Sequence, residues 1–154
     1  MPRMKPAPDV TIRPLGAAAT RPLRQRILRP GQPLDVLVYP GDDAPDSLHV
    51  GAFAGDVLLG VASIYRMSPE GAPTAPGDWR LRGMAVEPAA RRRGVGAALV
   101  RACEAHARAH GGTRLWFNAR VDALPFYFAL GYAAVGEVYE LSGIGPHRFA
   151  AKAL

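Results

Sequence analysis

The stretch LRGMAVEPAARRRGVGAALVRACEAHARAHGG, residues 81–112, constrains the fold more than any other part of the chain. WRLRGMAV (79–86) reads as a strand that Pro88 soon ends. From about Gly94 to His110 the pattern is helical, with Val95, Leu99, Ala102, Cys103 and His106 on one face and Gly111-Gly112 closing the run. Between strand and helix stand Arg91, Arg92 and Arg93, followed by Gly94 and Gly96 in an R-x-x-G-x-G pattern. The first N–H groups of a helix have no intrahelical acceptor and carry the positive end of its dipole. Glycines let that backbone turn tightly and approach an anion closely, and the arginines add charge beside it. The segment is therefore either an exposed basic turn opening a surface helix or a seat for a pyrophosphate. It is not a Walker loop, because Ala97-Ala98 follow where Lys-Ser/Thr is needed. It is not a dinucleotide fingerprint either, because Leu99 stands where a third small residue belongs.

The flanking chain completes a mixed α/β pattern. Residues 1–8 read as a frayed tail. VTIRPL (10–15) is a short strand, and residues 17–28 are a helix with Leu23, Ile27 and Leu28 on its apolar side. Arg24 and Arg26 fall on its polar side, solvated or turned toward an acidic acceptor. VLVYP (36–40) reads as strand-like, and LHVGAFAG with DVLLGVASIYR forms a hairpin near Gly55-Asp56, with His49 a surface or pairing residue. MSPEGAPTAPGD (67–78) is a long Pro/Gly-rich loop. RLWFN (114–118) is a buried strand. Asp122 is placed to cap a helix over 123–130, with Pro125 in its first turn and Gly131 at its end. YAAVGEVYEL and HRFAAKAL are the last two strands. This order predicts one sheet flanked by helices in a single domain over residues 9–154.

Composition narrows the function classes. The 154 residues carry one cysteine, which excludes an intramolecular disulfide and suits a reducing cytoplasm. No segment has the ~20 apolar residues of a membrane span, and the start has no apolar signal core. A net charge of +6 is compatible with nucleic acid, but outside Arg91–Arg93 the arginines are scattered and not interleaved with aromatics, which argues against it. His106 and His110 have metal-ligand spacing but no third ligand nearby, so no metal is expected. Cys103 belongs to the apolar helix face.

MAVEPAARRRGVGAAL (84–99), followed by N-A-R-x-x-A-x-x-F-Y-x-x-L-G-Y from Asn118 to Tyr132, resembles the GNAT superfamily of acetyl-CoA-dependent N-acetyltransferases. VGEVYELSGIGPH (135–147) and LRQRILRPGQ (23–32) are similar to its ElaA-type branch, with Gly145 inserted into that branch's "GIPH" turn.

The resemblance implies a GNAT fold, a mixed central sheet with a splayed strand pair flanked by helices. It implies acetyl transfer from acetyl-CoA, as co-substrate, to a primary amine of a small molecule or peptide by direct attack in a ternary complex. Met84, Ala85 and Val86 would bond the pantetheine arm; Arg91, Arg92, Arg93, Gly94, Val95, Gly96 and Ala97 would hold the pyrophosphate; Asn118 would bond the cofactor arm at its strand end. Tyr127 resembles the family's general acid, since a phenol can donate to the departing thiolate. Tyr132 takes a core position. The strand position that carries a Glu base in some members is Arg80 here, which leaves Glu140, His147, Glu137, Asp78 or a water chain as routes for the amine proton, the first two foremost because they flank the ElaA-type turn. Glu87 shapes the turn with Pro88. Family members also dimerise through sheet edges, so a homodimer is open to this chain. The alternative from another class is a non-catalytic acyl-CoA-binding sensor.

Overall fold

The structure, a computed structural model, describes residues 9–154; the tail expected over residues 1–8 lies outside the described residues. Seven strands form one sheet in the order β1-β2-β3-β4-β5-β7-β6. They are β1 (Thr11–Pro14), β2 (Leu48–Ala54), β3 (Val57–Arg66), β4 (Asp78–Val86), β5 (Arg114–Arg120), β6 (Ala133–Leu141) and β7 (Gly145–Ala153). The helices are α1 (Ala17–Leu28), α2 (Val95–Ala109) and α3 (Leu124–Ala129). All neighbouring strands run antiparallel except β4 and β5, which the α2 crossover makes parallel.

The two faces of the sheet are covered differently. The amphipathic stripe of α2 buries Val95, Leu99, Val100, Cys103 and Ala107 against one face, where they join Ile64, Trp79, Leu81, Leu115 and Phe117. Helix α1 lies on the other face, with Leu23 against Val61 of β3 and Ala85 of β4. Cys103 is fully buried, as its place in the helical stripe predicts. Glu104 is buried beside it, accepting from the Tyr132 hydroxyl at 2.9 Å and from Lys152 at 2.8 Å.

β4 and β5 share only three paired positions, Asp78↔Arg114, Trp79↔Leu115 and Arg80↔Trp116. Beyond them both strands continue but separate, while β4 stays bonded to β3 and β5 to β7. A bulge in β4 accompanies the divergence. Val61 pairs with Ala85 and Ser63 with Arg82, so β4 fits three steps where β3 has two. Gly83 takes up the extra residue at φ 68°, with Arg24 Nε 2.9 Å and Tyr39 Cε2 3.1 Å from where a Cβ would stand. Gly83→Ala is therefore expected to destabilise the protein by about 1–2 kcal/mol, from the left-handed backbone alone, before the Arg24 contact is counted. A urea midpoint equal to that of the parent would show that the bulge relaxes.

Two local expectations are corrected and one alternative is resolved. VLVYP is not a strand: Leu34–Leu37 form a 3-10 turn, because α1 and the loop to β2 hold the segment off the sheet and the Leu37 carbonyl accepts from buried Arg24 at 2.8 Å. Asp122 does not cap α3; a 3-10 turn over Val121–Ala123 supplies the entry, Ala123 occupies the cap position, and Asp122 is exposed. Pro125 does lie in the first turn of α3, where no N–H acceptor is lost. His49 is a pairing rather than a surface residue: it is buried, opposite Ser63 in the β2–β3 ladder, and bonded to Ser63 and the Asp42 carbonyl.

Candidate active site

The turn after β4 is built to leave donors free. Gly94 caps α2 in the left-handed conformation at φ 79°, and Arg92 is left-handed as well at φ 63°. The Ala98 N–H is the first to find an acceptor, on Gly94 O at 3.0 Å. Among the described residues no backbone acceptor faces the N–H groups from Arg92 to Ala97. Arg91, Arg92 and Arg93 are exposed; Arg91 Nε donates to Val86 O at 3.2 Å, which ties the turn back to β4. At Gly96 a Cβ would stand 3.0 Å from the Phe126 ring, so any larger residue there would have to push that ring aside. A run of free N–H groups at a helix start, with three guanidiniums around it, fits a pyrophosphate.

A cavity of about 850 Å³ opens where β4 and β5 part. Met84, Asn118 and Tyr127 reach it, together with His147 from β7 and Tyr139 from β6. Asn118 stands within β5, paired with Phe149, rather than at the strand end, because β5 runs on to Arg120. Tyr127 is buried against Phe117, with ring centroids 4.2 Å apart, and its hydroxyl makes no hydrogen bond among the described residues. Burial pushes its phenol well above the ordinary value, so it stays protonated. His147 Nδ1 lies 2.9 Å from the Gly145 carbonyl, which can only accept; the proton is therefore on Nδ1, and Nε2 of the neutral ring keeps its lone pair.

The other sequence candidates fall elsewhere. Glu140 is exposed and pairs with Pro146, while its neighbours Tyr139 and Leu141 line the cavity, as strand alternation requires. Glu137 is exposed. Asp78 is held bidentately by Arg114 at 2.9 and 3.1 Å, and these bonds lower its carboxyl below the ordinary range. Glu87 sits in the turn with its carboxylate paired to Arg26. His106 and His110 stack at 4.2 Å, with His106 Nε2 on the Asp46 carbonyl, and no cluster of three metal-binding side chains occurs among the described residues.

Arg24 requires the largest correction. It is wholly buried, neither solvated nor turned toward a substrate, and its acidic partner is Asp42 of this chain. Its guanidinium donates to Asp42, to Ser63 Oγ at 2.8 Å and to Tyr65 at 3.0 Å. Ser63 passes a hydrogen bond to His49 Nδ1, and His49 Nε2 donates to the Asp42 carbonyl at 2.8 Å. Burial alone would raise the Asp42 carboxyl, but bonds from Arg24, Tyr65 and the Tyr39 N–H outweigh it and hold it at about 2. This network pins Tyr39 and the Gly83 bulge along one wall of the cavity.

A sheet that parts between two parallel strands, with a free helix start beyond one of them, is what the family resemblance implies, and comparison with known proteins decides it. The family model for the Acetyltransferase (GNAT) family matches residues 19–132. The chain belongs to the GNAT acetyltransferase family. It is 33% identical over 138 residues to the uncharacterized N-acetyltransferase YitI of Bacillus subtilis (strain 168), covering 88% of this chain and 91% of YitI. It is 30% identical over 128 residues to the N-alpha-acetyltransferase RimI of Mycobacterium tuberculosis (strain ATCC 25618 / H37Rv), covering 71% of this chain and 77% of RimI. Among solved structures, Escherichia coli ElaA superposes with a TM-score of 0.73 at 21% identity, over 93% of this chain and 99% of ElaA. An aminoglycoside 6'-N-acetyltransferase complexed with coenzyme A gives 0.67 at 18% identity, over 93% and 96%. This GNAT protein is thus an acyltransferase of a family that uses acetyl-CoA, and its expected mixed, splayed sheet is borne out. No described helix is long and apolar enough to cross a membrane.

Sequence reading passed over one set of residues in this GNAT cavity. Arg29, Arg80, Arg82 and Arg120 all line it. The alternation R-L-R at 80–82 places two of them on one strand face, a signal present in the sequence; Arg29 and Arg120 come from segments distant in the chain, and only the fold brings them together.

Proposed function

We propose that the protein transfers an acetyl group from acetyl-CoA to a primary amine by direct attack in a ternary complex. The observation that carries this reading is the continuity of the parts: free N–H groups at Arg92–Ala97, then the parted β4 and β5, then a cavity holding Tyr127 and His147. In this assignment the N–H groups of Arg92 to Ala97, with Arg91–Arg93 around them, hold the pyrophosphate. Met84, Ala85 and Val86, on the β4 edge that β5 has left, bond the pantetheine arm with Asn118 opposite. Acetyl-CoA supplies a thioester whose carbonyl carbon forms the new C–N bond as the C–S bond breaks, the electron pair leaving on sulfur.

The chain handles the two proton movements. The Tyr127 hydroxyl donates to the departing thiolate, for which a neutral phenol is suited. His147 takes the amine proton on Nε2, directly or through water; Glu140, on the opposite strand face, is the poorer choice. The free hydroxyl of Tyr127 favours catalysis over a sensor role, since a module that only binds needs no donor there.

The same reading treats residues 9–154 as one acetyltransferase domain. The buried lone cysteine fits a reducing cytoplasm. The outer edge of β6, with Val135 and Val138 exposed, supports pairing of two copies along it.

Calorimetric titration of acetyl-CoA tests the assignment. Micromolar binding is expected, and Gly96→Glu should weaken it more than tenfold by filling the helix start with a side chain of the wrong charge. If Arg93→Glu and Gly96→Glu both leave the affinity intact, the pyrophosphate seat is elsewhere.

A further inference from the structure

Among the described residues the four cavity arginines have no ion-paired counter-charge: none of them makes a salt bridge, whereas Arg21, Arg24, Arg26, Arg66 and Arg114 all do. Arg80 stacks over Trp116 at 4.9 Å, its NH1 reaches only Met67 Sδ at 3.7 Å, and its buried Nε has no partner. Arg82 lies over the Tyr39 ring at 4.0 Å, and neither it nor Arg80 touches a carboxylate. Arg29 and Arg120 each spend one donor on the same acceptor, the Leu28 carbonyl, at 2.7 and 3.1 Å. Among the described residues Glu70 is the one acidic side chain lining the cavity, and it is exposed and forms no ion pair.

This arrangement is costly for a structural role. Burial lowers the Arg29 and Arg80 guanidinium pKa values, and neighbouring arginines, Arg120 and Arg82 for Arg29 and Arg82 for Arg80, lower them as well; the unpaired Glu70 carboxylate opposes this at Arg80 without reversing it. Stacking on Trp116 and Tyr39 fixes the flat guanidiniums while leaving their N–H edges for a ligand. A concave wall lined with one sign of charge concentrates ligands of the other. The pyrophosphate seat does not account for these charges: it opens α2, which packs on the opposite face of the sheet from Arg80 and Arg82.

We infer that the amine acceptor is anionic: its amino group sits on a skeleton bearing carboxylate or phosphate, which Arg82, Arg80, Arg29 and Arg120 receive while the amine points toward Tyr127. The inference rests on the acetyltransferase reading of the cavity. A carboxylate or phosphate fits because a guanidinium presents paired donors to two oxygens at once. A polyamine or a lysine-rich peptide does not, because it would bring like charge against four unpaired cations.

The test compares matched acceptors with acetyl-CoA, reading release of the CoA thiol. Glycine and β-alanine are set against glycinamide and β-alaninamide, in which the carboxylate is blocked, and O-phosphoethanolamine against ethanolamine, with spermidine as the cationic case. The anionic member of a pair should lead its neutral partner at least tenfold in kcat/KM, and added KCl should shrink the lead. Whether the carboxylate or the phosphate series responds distinguishes the two anion sources. Arg82→Gln should abolish the lead through KM, whereas Arg108→Gln on the exposed side of α2 should leave it unchanged. A neutral amine or spermidine leading the panel overturns the proposal.

Binding of glutarate to CoA-saturated protein decides the matter if no panel amine turns over. Saturable binding weakened tenfold by Arg82→Gln upholds the anion seat; no binding, or binding indifferent to Arg82, rejects it. Failure of acetyl-CoA itself to bind would remove the acetyltransferase reading instead, and glutarate would then be titrated without CoA to judge the arginines alone.

Discussion

Tyr127→Phe is expected to lower kcat by about a hundredfold or more, the scale of a lost general acid, while leaving KM for acetyl-CoA and the unfolding midpoint nearly unchanged. The separation follows from the structure. The hydroxyl has no protein partner among the described residues, so its removal orphans nothing, and the ring still packs on Phe117 and Phe126. Burial holds the phenol pKa above its ordinary ~10, so Tyr127 remains a donor throughout a neutral to mildly alkaline assay range, and wild-type kcat should show no fall from its ionisation there. His147→Gln, measured alongside, should also reduce kcat, because glutamine offers no lone pair basic enough to take the amine proton. A Tyr127→Phe enzyme that turns over like the parent across this range would assign the donor to water.

Arg24→Met should destabilise the protein by about 3–5 kcal/mol, the usual consequence of removing one partner from a buried ion pair. Against a typical total of 5–15 kcal/mol this is a large share. The guanidinium is fully buried, and the Asp42 carboxylate it serves would be left with the longer Arg21 contact at 3.4 Å as its remaining cation and little water to replace the lost bonds. Urea unfolding should show a lowered midpoint with an unchanged slope. Adding Asp42→Asn to Arg24→Met should cost less than the two single losses together, because the stranded charge disappears.

The same pair sets an acid limit on stability. The Asp42 carboxyl is held at about 2, below its ordinary 3.8, so its contribution is complete above roughly pH 4 and is lost as pH falls through about 2. Arg24→Met should flatten that part of the stability profile. A midpoint shift of less than about 1 kcal/mol, the range of an exposed pair, would mean that water reaches the guanidinium.

How far the sequence could be read depended on the range of the interactions involved. The strand, the glycine turn and helix α2 were legible because their signals are local: alternation, a helical apolar stripe, and glycines at a cap. The N-A-R…F-Y…L-G-Y run was legible for the same reason, and with the R-x-x-G-x-G turn it was enough to name the family, later shown by the match over residues 19–132.

Where a charge is neutralised was not legible. Arg24 stands three and four residues before Ile27 and Leu28, on the apolar side of α1. Arg26 lies off that side, stays exposed and pairs with Glu87. What α1 does not reveal is that Asp42, Ser63 and Tyr65, up to 41 residues away in the chain, fold over Arg24 as its partners. Asp122 failed as a cap for a related reason: the chain leaves β5 in a 3-10 turn whose geometry is set by the sheet.

By itself, then, the sequence determined the kinds of element, their order and the glycine turn that opens α2, because these depend on contacts within a few residues. Tertiary structure alone decided that β4 bulges at Gly83 and parts from β5, that Arg24 is a core ion, and that four arginines from separate segments meet unpaired in one cavity. Each of these depends on which distant backbone or charge comes to lie opposite, and local pattern does not encode that.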